Sequence, residues 1–219
     1  MPGPYPLWDL PTRLFHWSLV LILPLSWWSA ETARFELHQW LGYAVIVLVV
    51  FRIAWGFLGS PHSRFGDFLV GPRRVLAYLR SAAAPGTGHN PLGGWSVLGM
   101  LLLLLVQGVS GLFNSDDVFY KAPWYYGADA RWRDTLGLVH ELAFDALLAL
   151  LALHIAAVAY HQWWKGEQLL QPMLRGFSEQ RQGRDRAAPL WLALVIFALA
   201  SLALWACIAL APAPPPVFF

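Results

Sequence analysis

Five stretches of the chain are nearly free of charge and long enough to cross a bilayer, which takes roughly 20 mostly apolar residues. They cover 14–30, 37–58, 95–113, 137–160 and 189–211. The third and fifth carry no charged residue, the second carries Arg52, and the fourth carries Glu141 near one end and Asp145 deeper. Asp145 at that depth needs an Arg or another polar group of the bundle as partner. Pro24, near the middle of the first stretch, predicts a kink. Backbone polar groups in lipid must bond internally, so the stretches are read as helices of one bundle, an all-α integral membrane protein. Pro2, Pro4, Pro6 and Pro11 precede the first stretch in place of a basic run and a small-residue cleavage site, so that stretch is read as a retained helix.

Composition agrees. Hydrophobic residues make up 58% of the 219 and charged residues only 13%, too little polar surface for a water-soluble globule of this size. The single cysteine, Cys207, excludes an intramolecular disulfide and a cysteine-based metal cluster. A net charge of +2 gives no reason to expect nucleic acid as a partner. The distribution of charge says more. Ten of the fifteen Lys and Arg precede the first stretch or lie in the 59–94 and 161–188 connections, whereas the opposite side has Arg34, Lys121, Arg131 and Arg133. The positive-inside rule then puts the N-terminus in the cytoplasm and the C-terminus outside. The outer 114–135 connection also holds Asp116, Asp117, Asp129 and Asp134.

The histidines carry the chemistry. His62, His89 and His161 fall in or beside the cytoplasmic connections and are read as solvated or interfacial. His16, His38, His140 and His154 fall inside apolar stretches, where an ionisable side chain points to function. With alternating helix directions their depths match in two pairs, His16 with His154 and His38 with His140. His140 and His154 are fourteen residues apart, nearly four turns, hence on one face and about 21 Å apart along the axis. Two imidazoles facing each other at each of two depths suit a six-coordinate haem iron, whose porphyrin fills the equatorial positions. A zinc site would gather three or four ligands at one point. No CxxCH is present, so the haem is not attached covalently. Gly42 and Gly137, one turn from His38 and His140, and Gly108 and Gly111 leave room for a flat group or for close helix packing. Arg13, three residues before His16, and Arg52, at the depth of the inner pair, are candidate partners for the propionates, with snorkelling as the alternative for Arg52. Trp17, Trp40 and Trp55 are read as interfacial anchors or packing residues.

These residues are recognisable as a set. The run Trp8 to Trp17 (WDLPTRLFHW), Glu36 to Tyr43 (ELHQWLGY), Arg52 to Phe57 (RIAWGF), Gln107 to Asp117 (QGVSGLFNSDD) and Leu138 to Glu141, with His154 beyond, resemble the bacterial cytochrome b561 and nickel–iron hydrogenase b-type cytochrome family over roughly 5–176. The resemblance implies a four-helix transmembrane haem-binding bundle with two non-covalent b haems, ligated by His16 with His154 and by His38 with His140. It implies residues 1–176 as the di-haem domain, with 177–219 adding a linker, a fifth C-terminal transmembrane helix and a Pro-rich tail, outside the compact pattern and available for docking or oligomer contacts. It also implies electron exchange in the bacterial inner membrane between the quinone pool and a redox partner. That partner is a hydrogenase, a periplasmic c-type cytochrome or superoxide across the family, and the Ser-Asp-Asp form of the third-helix end points to the c-type cytochrome. A superoxide:quinone oxidoreductase, an anchor subunit of a larger complex and a non-haem scaffold are the alternatives. Gln107, Ser110, His161 and Lys165 are the candidates, by position, for a quinone site.

Overall fold

The computed structural model describes residues 6–80, 90–116, 118–178 and 187–216. His89, Asp117, Arg181, Arg184 and Arg186 lie outside them. The elements are α1 (Leu10–Glu31), α2 (Phe35–Leu58), α3 (Phe65–Phe68), α4 (Pro72–Arg80), α5 (Pro91–Gly111), α6 (Ala130–Ala159), α7 (Leu170–Arg175) and α8 (Leu190–Ala209). Among the described residues there is no strand, only an isolated bridge between Ser115 and Lys121.

Local chemistry sets the helix starts. Asp9 accepts from Thr12 N at 2.8 Å and Pro11 follows, a side-chain cap with proline in the first turn. Asn90 caps Gly93 N at 2.7 Å ahead of Pro91, so α5 begins four residues before the apolar run at 95. Asp129 caps Trp132 N at 2.9 Å, so α6 begins seven residues before the run at 137. Its first two turns are polar and project past the apolar stretch. Pro24 sits within α1 without ending it. The last turn of α6 widens to a π-helix over Tyr160–Trp164, and the Gln162 side chain then accepts from Leu169 N at 2.9 Å and Leu170 N at 3.0 Å, starting α7.

α2 is the central helix, packed against α1, α5 and α8, while α6 packs mainly on α5. Val45 and Val49 of α2 join Leu101 and Leu104 of α5, Leu147 of α6 and Phe65 and Phe68 of α3 in one core. On the other flank Tyr43, Ile46 and Val47 pack on Ala200 and Leu204 of α8, and Phe51 and Trp55 on Ala193 and Ile196. The C-terminal helix is therefore an integral layer on α2. Its ends are tied: Ala188 N donates to Ser60 Oγ at 2.9 Å, and Trp124 Nε1 donates to Cys207 O at 3.1 Å. Among the described residues four helices are long and apolar enough to cross a membrane: α2, α5, α6 with its π turn, and α8. α1 is 22 residues long but is not among them; its histidine, serines and tryptophans lower its hydropathy.

The two ends differ. The basic end carries α3, α4 and α7. There the Trp17 indole donates to Met173 O at 2.9 Å and Arg13 Nη2 to Leu174 O at 2.5 Å, satisfying the last carbonyls of α7. Gly176 follows with φ 88°, and a Cβ there would lie 2.9 Å from Arg13 Nη1, so glycine is needed both for conformation and for space. At the acidic end Asp116 Oδ1 accepts from Val118, Phe119 and Tyr120 N at 3.0, 2.9 and 2.7 Å. Desolvation pushes this carboxyl up, but the bonds from Tyr120, Val118 and Phe119 together outweigh it and hold its pKa below the usual carboxylate value. With the folded pKa depressed, the ordering of the turn is fully present above the unfolded pKa and is lost as pH falls through the folded one. Amide exchange at Val118–Tyr120, measured against the helices, should accelerate only on that acid side; protection that disappears near neutral pH would contradict this.

Three sequence expectations need correction. His62 is not solvated: it is 4% exposed, with Nδ1 3.0 Å from Asp67 Oδ2. Arg52 does not snorkel to the headgroups, being 2% exposed. Asp145 lies on an exposed face of α6 rather than inside the bundle. The physical reason is common to the first two. The 59–69 segment folds back over the end of α2 and covers it.

Candidate functional site

His38 stands in the first turn of α2 and His140 midway along the outer half of α6. Their ring centres are 6.3 Å apart with planes at 77°. With about 2 Å from metal to nitrogen and about 1.1 Å from nitrogen to ring centre, two imidazoles that shared one metal from opposite sides would have centres about 6.2 Å apart, close to the spacing seen. The tautomers suit ligation as well. His38 Nδ1 is 2.9 Å from Ser26 O, and His140 Nδ1 is 2.9 Å from Gln107 O. A carbonyl only accepts, so each Nδ1 carries the proton and each Nε2 keeps its lone pair. Ser29 and Ser26 Oγ lie 3.4 Å from His38 Nδ1, and Ser110 Oγ 3.2 Å from His140 Nδ1. The Gln107 amide donates to His140 Nε2 at 3.0 Å, so a metal at that nitrogen requires the amide to swing aside.

Space beside the pair is uneven. A Cβ on Gly42 would meet nothing within 4 Å, whereas one on Gly111 would sit 3.0 Å from His140 Cε1. Gly42 thus borders open room, and Gly111 lets the His140 ring lie flat against α5. Gly108 belongs to helix packing, because a Cβ there would run into Ile46. Gly137 has only Asn114 Oδ1 near it, at 3.7 Å.

At the basic end stand His16 of α1 and His154 of α6. Both are half-buried. His16 Nδ1, Arg13 Nε and Arg52 Nη1 are buried without hydrogen-bond partners, as is Gln107 Oε1 at the other pair. Buried polar atoms are nearly always satisfied, so three orphaned nitrogens grouped near one end mark a place where an acceptor belongs. Two of them are cationic and suit an anion. Arg52 lies over the Phe65 ring at 5.5 Å and within the field of Asp9. Asp9 in turn accepts from Trp55 Nε1 at 2.9 Å and Ser63 Oγ at 3.1 Å, and Ser63 bonds Thr12 at 2.7 Å. No sequence pattern marks Asp9 as the centre of this buried polar knot.

The four quinone-site candidates separate. Gln107 and Ser110 are engaged with His140. His161 Nδ1 lies 3.0 Å from Glu167 Oε1 at the π turn, and Lys165 Nζ lies over the Tyr160 ring at 5.6 Å. Trp55 is wholly buried packing, and Trp40 is 68% exposed. Among the described residues no group of three or more His, Cys, Asp or Glu gathers to hold a metal by side chains alone. The donor set therefore fits a group that brings most of its own coordination, held by one imidazole from each of two helices.

Comparison with known families gives one match: the family described as prokaryotic cytochrome b561 matches residues 7–176. No curated protein and no solved structure matches the chain.

Proposed function

The chain belongs to the prokaryotic cytochrome b561 family, and from that premise we propose that it carries electrons across the bacterial inner membrane between the quinone pool and a periplasmic redox protein, through two b haems. The observation that carries the reading is the His38–His140 pair, with ring centres 6.3 Å apart and both Nδ1 atoms bonded to main-chain carbonyls. His38 and His140 hold the outer haem and His16 and His154 the inner one. When bound, haem would supply a one-electron centre, with these imidazoles holding it in place. Ser26 and Gln107 fix the tautomers by their carbonyls, and Gly42 keeps the flank of the outer site open. Arg13 Nε and Arg52 Nη1 offer the inner propionates charged donors.

Orientation follows the charge asymmetry, with the basic end in the cytoplasm. α1 then crosses as a fifth span beside the four apolar ones, and residues 1–176 form the haem domain to which α8 is added as a lipid-facing layer. Quinone chemistry needs proton transfer, and the His161–Glu167 pair at the widened end of α6 provides an imidazole and a carboxyl in hydrogen-bond contact near the inner site. π turns are often functional.

The decisive experiment is the visible spectrum of the purified protein in detergent, followed by a redox titration. Two b-type components reducible by a quinol are expected. A colourless protein would end the reading, and a haem protein that no quinol reduces would remove its quinone half. A narrower test uses the room beside Gly42. Because nothing stands within 4 Å of a Cβ there, Gly42→Leu should leave helix content and apoprotein folding unchanged while excluding the outer haem. Full haem content in a folded Gly42→Leu protein would place the cofactor elsewhere.

A further inference from the structure

The membrane spans are largely apolar on every side, whereas α4, Pro72–Arg80, is sharply two-sided. At about 100° per residue Val75, Leu76 and Leu79 fall within one arc of about 100°, with Arg73 and Arg80 beside it and Arg74 across from it. The helix carries no carboxylate. Leu76 and Leu79 are 47% and 61% exposed, and all three arginines are exposed.

Its depth is fixed by the segment before it. Phe68 is buried against the first turn of α5, so close that a Cβ on Gly94 would lie 2.8 Å from Phe68 O. The Trp95 indole donates to Val70 O at 3.0 Å. Trp95 opens the apolar run of α5 and is itself part exposed, the place of a tryptophan at the edge of the hydrocarbon. α4 begins just beyond Val70 and packs on α5, so it lies at this edge. At 9 residues it is too short to cross.

Charge at this end selects what covers the exposed leucines. Arg64, Lys165 and Arg175 are exposed here beside the three arginines of α4. The carboxylates of the same end are engaged: Asp9 is buried in the polar knot, Asp67 pairs with His62, and Glu167 with His161. A short helix with leucines on one side and arginines around them lies in the plane of an anionic surface. A soluble acidic partner would have to displace headgroups to reach leucines at this depth.

We propose that α4 lies in the membrane plane and binds anionic phospholipid, with Leu76 and Leu79 at the acyl boundary, Arg73 and Arg80 on the headgroup phosphates and Arg74 in their field. The proposal needs the bilayer but neither haem nor quinone.

The test uses the full haem-loaded chain in phosphatidylcholine nanodiscs, with a bimane on Leu79→Cys in a Cys207→Ser background. Phosphatidylcholine brominated near the carbonyl end of its chains should quench this bimane, while one on Arg74→Cys should be reached first by iodide from water. With brominated phosphatidylglycerol at the same mole fraction, the quenching at Leu79→Cys should correspond to about fivefold enrichment of the anionic lipid. The enrichment should fade in about 1 M salt. Arg73→Gln with Arg80→Gln should abolish it, with haem content and melting temperature unchanged, and Arg73→Lys with Arg80→Lys should keep it. A bimane on Trp205→Cys, at the acidic end of α8, should show no such preference. If iodide quenches the Leu79→Cys bimane and brominated lipid does not, α4 stands in solvent, open to a soluble partner, and the proposal is overturned. Equal quenching by the two lipids overturns it as well, as does an enrichment at Trp205→Cys as large as at Leu79→Cys. None of these readouts passes through haem reduction, so the proposal and the electron-transfer reading fail separately.

Discussion

Replacing His140 by alanine should remove one of the two haems and leave the other with an unaltered spectrum and potential. His154→Ala should give the complementary loss. The rings to be deleted are held differently, and that sharpens the expectation. His140 is fixed by Gln107 O at 2.9 Å and Ser110 Oγ at 3.2 Å, so its loss leaves a cavity beside Gly111 and an unpaired carbonyl but does not disturb His38, which Ser26 positions independently. One remaining imidazole does not hold a haem that two were built to clamp. The sites lie about 21 Å apart along α6, so the two losses should be independent and the double variant colourless. Stability should follow occupancy: a ligand at a thousand times its Kd adds about 4 kcal/mol to the native state. Each single variant should therefore melt well below the parent when haem is saturating and close to it when both are stripped. Pyridine haemochrome content per protein and a two-component redox titration read the result. If His140→Ala and His154→Ala both keep the full haem content, the ligand assignment is wrong.

That His38 and His140 meet was legible in the sequence because depth along a helix bundle is nearly a linear function of residue number. Helices alternate in direction and rise a fixed amount per residue, so His38 and His140 fall at one level before any contact is known. Four of the five expected spans were legible from apolar length, whereas α1 falls short of it. What the sequence did not reveal depends on how segments fold back across the bundle end. His62 reads as a loop histidine by its neighbours Pro61 and Ser63, yet the 59–69 segment turns over α2 and buries it against Asp67. α6 starts seven residues early because Asp129 caps it, a signal that apolar counting ignores. The carbonyls of Ser26 and Gln107 that set the imidazole tautomers have no side-chain signature at all. Backbone acceptors appear only once the helices are docked.

The second large effect is expected at Asp9, a residue that touches neither histidine pair. Asp9→Ala removes the cap acceptor for Thr12 N, the acceptor of the Trp55 indole and that of Ser63. It also removes a carboxylate in whose field the Arg52 guanidinium sits, 2% exposed and already short of a partner at Nη1, although the two make no ion-pair contact. A lost cap costs about 1 kcal/mol, an unpaired buried N–H about 1–3 kcal/mol, and an uncompensated buried charge about 3–5 kcal/mol. Because these groups share one network, their costs do not add. Because Asp9 and Arg52 are not in contact, the cap and the indole bond set the scale, about 1–3 kcal/mol, or several degrees in the melting temperature of a chain this size. The variants separate the causes. Asp9→Asn keeps one acceptor, for Thr12 N or for the indole but not for both, and removes the charge, so it should lose most of what alanine loses. Adding Arg52→Met to Asp9→Asn removes the cation as well and should recover the electrostatic part of the loss. The same double variant lacks the Arg52 donor proposed for the inner propionates, so it should regain part of its melting temperature as apoprotein while holding the inner haem less tightly than the parent. Recovery of both would leave Arg52 only its structural role, and an Asp9→Ala protein that melts with the parent would show that the knot contributes little.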